Sequence, residues 1–131
     1  MAAKDAVRAL ALAGVPFRPQ GRDRAGMDCV GMCLATYRIP AEQVRCDYRI
    51  RGDHRREVMA SLAKWFWRVG KLDARAGDLM LLSVASDQLH LAVRTENGFV
   101  HADAGLRRVV HTPGDPPWPV IGVYRRRVRI K

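Results

Sequence analysis

The sequence predicts an α+β fold in which N-terminal helices pack on a mostly antiparallel β-sheet. Three observations predict it. Apolar residues recur at helical spacing only in the first half of the chain, up to about Arg68. From Gly77 onward the pattern shortens to strand-length runs, one of which alternates residue by residue. Turn residues, rather than helix-length segments, separate those runs, which makes the strands antiparallel neighbours. At 131 residues the chain reads as a single domain, residues 1–131, able to bury about two thirds of its unfolded surface.

In chain order, Lys4 to Ala13 reads as a short amphipathic helix closed by Gly14. The apolar run Ala9 to Phe17, with Lys4 and Arg8 before it, invites comparison with a signal peptide. The run is only nine residues long and Asp5 lies in its leader, so the chain is expected to be made in the cytoplasm without an export signal. Pro16 to Gly26 is loop-like, broken by Pro19, Gly21 and Gly26. Asp28 to Arg38 can form a helix with Asp28 as its capping residue, and Pro40 ends it. A polar, Arg-rich stretch follows to about Gly52. Asp53 can then cap a helix to about Arg68, with Val58, Leu62, Trp65 and Phe66 as core candidates at helical spacing. Asp78 to Val84 is a short apolar strand. Leu89 to Arg94 alternates, with Leu89, Leu91 and Val93 on one face and His90, Ala92 and Arg94 on the other. Thr95-Glu96-Asn97-Gly98 is turn chemistry. Phe99 to Ala102 and Leu106 to Val110 are further strands, Pro113 to Pro119 a loop, and Val120 to Ile130 the last strand.

Composition excludes several classes. Hydrophobic residues make up 48% of the chain, too many for disorder, and no apolar run approaches the ~20 residues of a membrane span. Three cysteines (Cys29, Cys33, Cys46) are an odd number with no repeated pair spacing, which fits a reducing compartment rather than a disulfide framework. Twenty-three Lys and Arg against 13 Asp and Glu give a net charge of +10, concentrated at Arg45–Arg56 and in the tail from Arg125 to Lys131. That surface is either solvated or drawn to a polyanion. No helix-turn-helix, zinc-finger or RNA-binding signature accompanies it, so no specific nucleic acid is expected as a partner.

Cys29 is the first candidate for chemistry. It lies in the first turn of a predicted helix, where free N–H groups and the helix dipole favour a thiolate and can hold an oxyanion. Gly31 would leave room for a substrate beside the thiol. The bland alternative is a small buried cysteine. Cys33, one turn later, is expected in the core, and Cys46 has no evident partner. Cys29-x3-Cys33 is not a zinc knuckle and no second pair exists, so no metal site is expected. His90 and His101 lie on strands of one predicted hairpin. A turn centred between Thr95 and Glu96 puts them directly opposite, with Cβ atoms ~5 Å apart. A two-residue turn at Asn97-Gly98 offsets them by four positions, ~13 Å. In the first register His90 is a base and His101 the group that orients it, as a thiol nucleophile requires. His54 and His111 read as surface residues.

The ordered set Gly14-Val-Pro-Phe-Arg18, Asp28-Cys29-Val-Gly31, Gly77-Asp-Leu79, His90 and Phe99-Val-His101-Ala102 resembles the NlpC-type cell-wall cysteine peptidases over about residues 6–128. The stretch from Gly105 to Val110 is similar to the compact branch found in phage tails and gene-transfer agents. The resemblance implies a minimal papain-like fold and cleavage of amide bonds in peptidoglycan stem peptides, after a D-glutamyl residue and before a diamino acid. It implies Cys29 as nucleophile, His90 as general base and His101 as its orienting partner, with no metal or organic cofactor. On the same footing Phe17, Arg18, Asp28, Val30 and Gly31 are substrate-binding candidates. Asp28 is either a helix cap or a contact to the free amine of the stem peptide. Arg18 is either exposed or paired with a substrate carboxylate. Trp65, Trp67 and Trp118 read as core or rim packing.

The chain departs from the family's pattern at three points. Phe17 stands where the family often has a Tyr whose hydroxyl helps at the oxyanion site. Val30 stands where many relatives have Ser, and Pro19-Gln20-Gly21 replaces a Gly-Gly pair. The implied partners are peptidoglycan peptides and phage-tail-like proteins, with no membrane. Delivery by a phage-like particle to the periplasm or wall would suit a chain without its own export signal. The alternatives are a different thiol amidase or acyltransferase on the same fold, or a non-catalytic structural protein of a phage-like tail.

Overall fold

A computed structural model describes residues 2–40, 55–85 and 88–127. Three helices and eight strands occur among them, in the order α1 (Ala2–Ala11), β1 (Arg22–Asp23), β2 (Gly26–Met27), α2 (Cys29–Tyr37), α3 (Arg55–Trp65), β3 (Phe66–Val69), β4 (Leu79–Ala85), β5 (Gln88–Arg94), β6 (Gly98–Asp103), β7 (Arg108–Pro113) and β8 (Val120–Arg126). The α+β class read from the sequence is the one observed. Cys46, His54, the Asp53 cap, most of the Arg-rich stretch from Arg45 and the end of the tail lie outside the described residues.

Six strands form one antiparallel sheet in the order β3-β8-β4-β5-β6-β7. The alternation along β5 sorts its side chains as read. Leu89, Leu91 and Val93 join Leu79, Leu81, Val100 and Val109 under the helices. Ala92, on the other face, packs with Met80, Leu82 and Phe99 beneath Trp118. Among the described residues the helices cover the first face, which carries the larger apolar set.

α1 buries Ala6 and Ala9, with Leu12 buried just past its end, and packs on α2. Asp5, buried in its first turn, pairs with Arg8, whose Nε donates to the Thr36 carbonyl at 2.8 Å. Gly14 leaves the helix at φ +95°, a left-handed conformation open to glycine at little cost. Its N–H then meets the Val109 carbonyl at 2.8 Å, and Val109 N–H returns to the Val15 carbonyl at 2.8 Å. The segment after α1 is thereby tied along the outer edge of β7, where Pro16 bridges Arg108.

Two element readings are corrected. The helix expected to run to Arg68 stops at Trp65, and Phe66 to Val69 is a strand paired with β8, Phe66 opposite Arg126. Phe66 is still core, 2% exposed, with its ring edge-on to Tyr37 at 5.0 Å. Aromatic and β-branched residues in Phe66-Trp-Arg-Val69 suit a strand once an edge is available to pair. The loop reading of Pro16–Gly26 misses a small hairpin, β1–β2, with Arg22 opposite Met27. Asp23 Oδ1 accepts the Ala25 N–H at 2.9 Å and closes its turn. Elsewhere boundaries move by one to four residues; β7 runs Arg108–Pro113, so Leu106 lies in the β6–β7 turn, and β8 ends at Arg126.

Buried charge is matched at the sheet's other end. Asp78 is fully buried and accepts Arg125 Nε and Nη2, each at 2.9 Å, and Arg75 N–H at 2.8 Å. No helix among the described residues is long and apolar enough to cross a membrane.

Candidate active site

The β5–β6 hairpin decides where the histidines meet. Its pairs are Val93 with Val100 and Arg94 with Phe99, so Thr95 to Gly98 form a four-residue turn closed by Thr95 N–H on the Gly98 carbonyl at 2.9 Å. This is neither of the two registers read from the sequence. It lies midway between them and makes His90 and His101 a diagonal pair, two positions out of step. Diagonal neighbours on one face are still within reach of aromatic side chains. His90 Nε2 lies 2.9 Å from His101 Nδ1, with the rings edge-on. Trp118 stands against both, with centroids 6.0 Å from His90 and 5.8 Å from His101.

Past Val93 and Val100 the two strands form no further ladder pairs, and α2 packs against both of them there. Asp28 is the N-cap of α2: its Oδ1 accepts the Gly31 N–H at 2.9 Å. Cys29 follows as the first helical residue, 5% exposed, with the Leu91 backbone N–H, one residue beyond His90, close enough to favour its thiolate. Cys29, His90 and His101 line one cavity of about 600 Å³. Residues 61 and 72 positions after Cys29 are thus brought to one wall by the sheet.

The electrostatics run against the sequence expectation of a helix-end thiolate. Burial pushes the Cys29 thiol up to about 12, and the Asp28 carboxylate adds to the rise. The Leu91 N–H and the Arg22 cation offset it only in part. Partial charge at the end of a nine-residue helix does not repay the loss of water around a buried anion. Burial, then the neighbouring His101, push His90 down to about 4, against a smaller pull upward from Asp103. Burial also lowers His101, again opposed by Asp103. At neutral pH the site therefore holds a neutral thiol beside two neutral imidazoles.

The substrate-binding candidates divide. Phe17, Asp28 and Val30 line the cavity; Arg18 is exposed and does not. Gly31 is no opening for substrate. A Cβ there would lie 2.2 Å from the Gly21 carbonyl oxygen, so the missing side chain lets the Pro16–Gly26 segment lie against α2. Asp28 is engaged on three sides, by Gly31 N–H, by Arg22 Nη1 at 2.8 Å and by Gln20 N–H at 2.9 Å. It holds the cap rather than presenting a free carboxylate. His111, read as a surface residue, is partly buried on β7 with Nε2 3.0 Å from Thr95 Oγ1.

The lining also holds polar residues to which no role at the site was given from the sequence, among them Gln20, Arg22 and Asp103. Gln20 adopts φ +59°, a left-handed conformation uncommon for a residue with a Cβ, next to the N-cap it hydrogen-bonds. Arg22 arrives through the β1–β2 hairpin, whose turn-forming Asp23 and Gly26 were the available signal. No cluster of three or more metal-ligating side chains occurs among the described residues.

No family model matches the sequence, and no curated protein matches it either. Solved structures match the fold. NlpC1 from Trichomonas vaginalis superposes with a TM-score of 0.70 at 16% identity, over 95% of this chain and 43% of the other. The NlpC/p60 domain of the peptidoglycan hydrolase SagA gives 0.62 at 19% identity, over 86% and 89%. The peptidoglycan hydrolase RipB from Mycobacterium tuberculosis gives 0.60 at 22% identity, over 95% and 64%. The chain thus spans less than half of NlpC1 and most of the SagA domain. The fold is that of NlpC/P60 domains, the papain-like arrangement.

Proposed function

We propose that this chain is a cysteine peptidase that hydrolyses amide bonds in peptidoglycan stem peptides, at the D-glutamyl–diamino acid bond. The observation that carries the reading is the placement of Cys29, at a helix start, and the hydrogen-bonded His90–His101 pair on one cavity. The likeness of the fold to domains of two peptidoglycan hydrolases supports the substrate class.

In this reading His90 Nε2–H donates a hydrogen bond to His101 Nδ1. That tautomer leaves the Nδ1 lone pair of His90 as the base for the thiol. A free thiolate is disfavoured in the empty cavity, so the proton leaves Cys29 Sγ for His90 as the carbon–sulfur bond forms. The protonated His90 still donates to His101 and keeps its orientation. It then returns the proton to the leaving amine, and water releases the acyl group from the thioester. Helix position leaves the N–H groups of Cys29 and Val30 without intrahelical partners, available to an oxyanion. Phe17 offers no hydroxyl; of the two side-chain amides on the lining, Gln20 and Gln88, that of Gln20 sits on the segment that meets the α2 N-cap and is the donor assigned to the oxyanion. Delivery by a phage-like particle is part of the same proposal and rests on the resemblance of Gly105–Val110.

Mass spectrometry of purified stem peptides after incubation with wild type, Cys29→Ala and His90→Ala tests the reading. Wild type alone should release fragments, whose masses identify the bond. Cleavage by Cys29→Ala, or none by wild type, would overturn it; turnover of thiol-reactive esters in the latter case would point to another acyl substrate.

A further inference from the structure

The acidic group next to the candidate nucleophile is already neutralised from within the chain, and the cation that does so has donors to spare. Arg22 lines the cavity, with its side chain 16% exposed. Its Nη1 is held by Asp28 Oδ1 at 2.8 Å and by the Gly21 carbonyl at 3.0 Å. Its Nε is buried and has no hydrogen-bond partner among the described residues. A buried N–H left unpaired is costly, and native structures seldom keep one without a use.

The unused Nε lies on the edge of the guanidinium that it shares with Nη2, the edge that matches a carboxylate with two parallel hydrogen bonds. The same molecule shows this edge at work in Arg125, whose Nε and Nη2 each hold Asp78 at 2.9 Å. Asp28 and Asp103 both line the cavity, and the charge around Arg22 still allows a substrate carboxylate there. Gly31 N–H and Gln20 N–H share the negative charge of Asp28, and the start of α2 adds positive potential. Exposed Arg18, Arg24, Arg107 and Arg108 lie on the segments bordering Phe17, Arg22 and Gly105 at the mouth.

We propose that Arg22 forms a carboxylate subsite beside Cys29, so that the protein selects substrates with a free carboxylate next to the scissile amide over the same substrates amidated there. This rests on the hydrolase reading and adds its specificity. Arg18, the cation offered for that task by the sequence, is off the cavity. Arg22, pinned at Nη1 and unpaired at Nε, replaces it.

The test uses two synthetic stem peptides identical except for carboxylate or carboxamide at the residue preceding the scissile bond. Wild type should favour the carboxylate peptide in kcat/KM by about 100-fold, since a site built for two hydrogen bonds rejects a ligand that cannot complete them. Arg22→Gln should bring the ratio to about 1, chiefly through KM, and Arg22→Lys should restore part of it. No preference in wild type, or an equal loss on both peptides in Arg22→Gln, would overturn the proposal, the latter meaning that Arg22 serves only to brace Asp28. Binding of the same peptides to Cys29→Ala by titration calorimetry separates this proposal from catalysis. Tighter binding of the carboxylate peptide, lost on adding Arg22→Gln or weakened by Arg22→Lys, supports the subsite even if wild type cuts neither. Equal binding of the two peptides refutes it whatever the activity.

Discussion

Acid should unfold this protein through the same histidine pair that forms the candidate site. His90 titrates near 4 in the folded chain, against an ordinary value of 6.5, because burial and His101 disfavour its charge. Between these values the unfolded chain binds more protons than the folded one, so stability rises with pH there and is lost as pH falls from about 6.5 towards 4. For one group the loss between pH 7 and pH 4 is about 3 kcal/mol, a large part of the ~5–15 kcal/mol that holds a typical domain. His101 is shifted the same way and adds to the loss. Asp5 acts oppositely: burial raises its carboxyl above 3.8, so its protonation near that pH favours the folded state. Cys29, pushed up to about 12, does not titrate in the window. Urea denaturation at half-unit steps from pH 7 to pH 4 measures the effect, with His90→Gln as control. Wild-type stability should fall by about 3 kcal/mol or more, and His90→Gln should lose about 3 kcal/mol less over the same range. A flat wild-type profile, or parallel profiles for the two proteins, would refute the claim that His90 is held neutral by its surroundings.

Three further outcomes are expected. Gln20→Ala should lower kcat on stem peptides by about 100-fold with KM little changed if its amide serves the oxyanion in place of the missing Phe17 hydroxyl; steady-state kinetics reads this. Gly31→Ala sets a Cβ 2.2 Å from the Gly21 carbonyl oxygen, and calorimetry should show a loss of about 1–3 kcal/mol, or roughly 5–10 °C in Tm. Asp78→Ala strands Arg125, whose side chain is 29% exposed beside a fully buried carboxylate, and should cost about 3 kcal/mol in chemical denaturation without altering the pH profile of activity.

Much of the architecture is legible because it depends on local rules. Helical spacing gave way to alternation near Gly77, and the strands follow. Asp28 reads as a cap from its type and place, and the structure shows it as one. Apolar periodicity puts Phe66 in the helix because it cannot distinguish the last turn of a helix from the first residue of a strand. What separates them is the pairing of Phe66 with Arg126, a partner sixty residues away. The β1–β2 hairpin was missed for a related reason: two-residue strands carry too little pattern to stand out from a loop.

The sequence by itself determined the fold class, the face on which Leu89, Leu91 and Val93 lie, and the identity of the three residues now found on one cavity. Tertiary structure alone decided how they meet. A four-residue turn at Thr95–Gly98 set His90 and His101 diagonally, although both registers considered from the sequence were allowed by its turn residues. It also turned Arg22 in and left Arg18 out, two arginines four residues apart in one loop-like segment. The thiol's charge state was decided there as well. Helix position is local and argues for a thiolate, whereas desolvation depends on everything packed around the sulfur, and at Cys29 that packing raises the pKa.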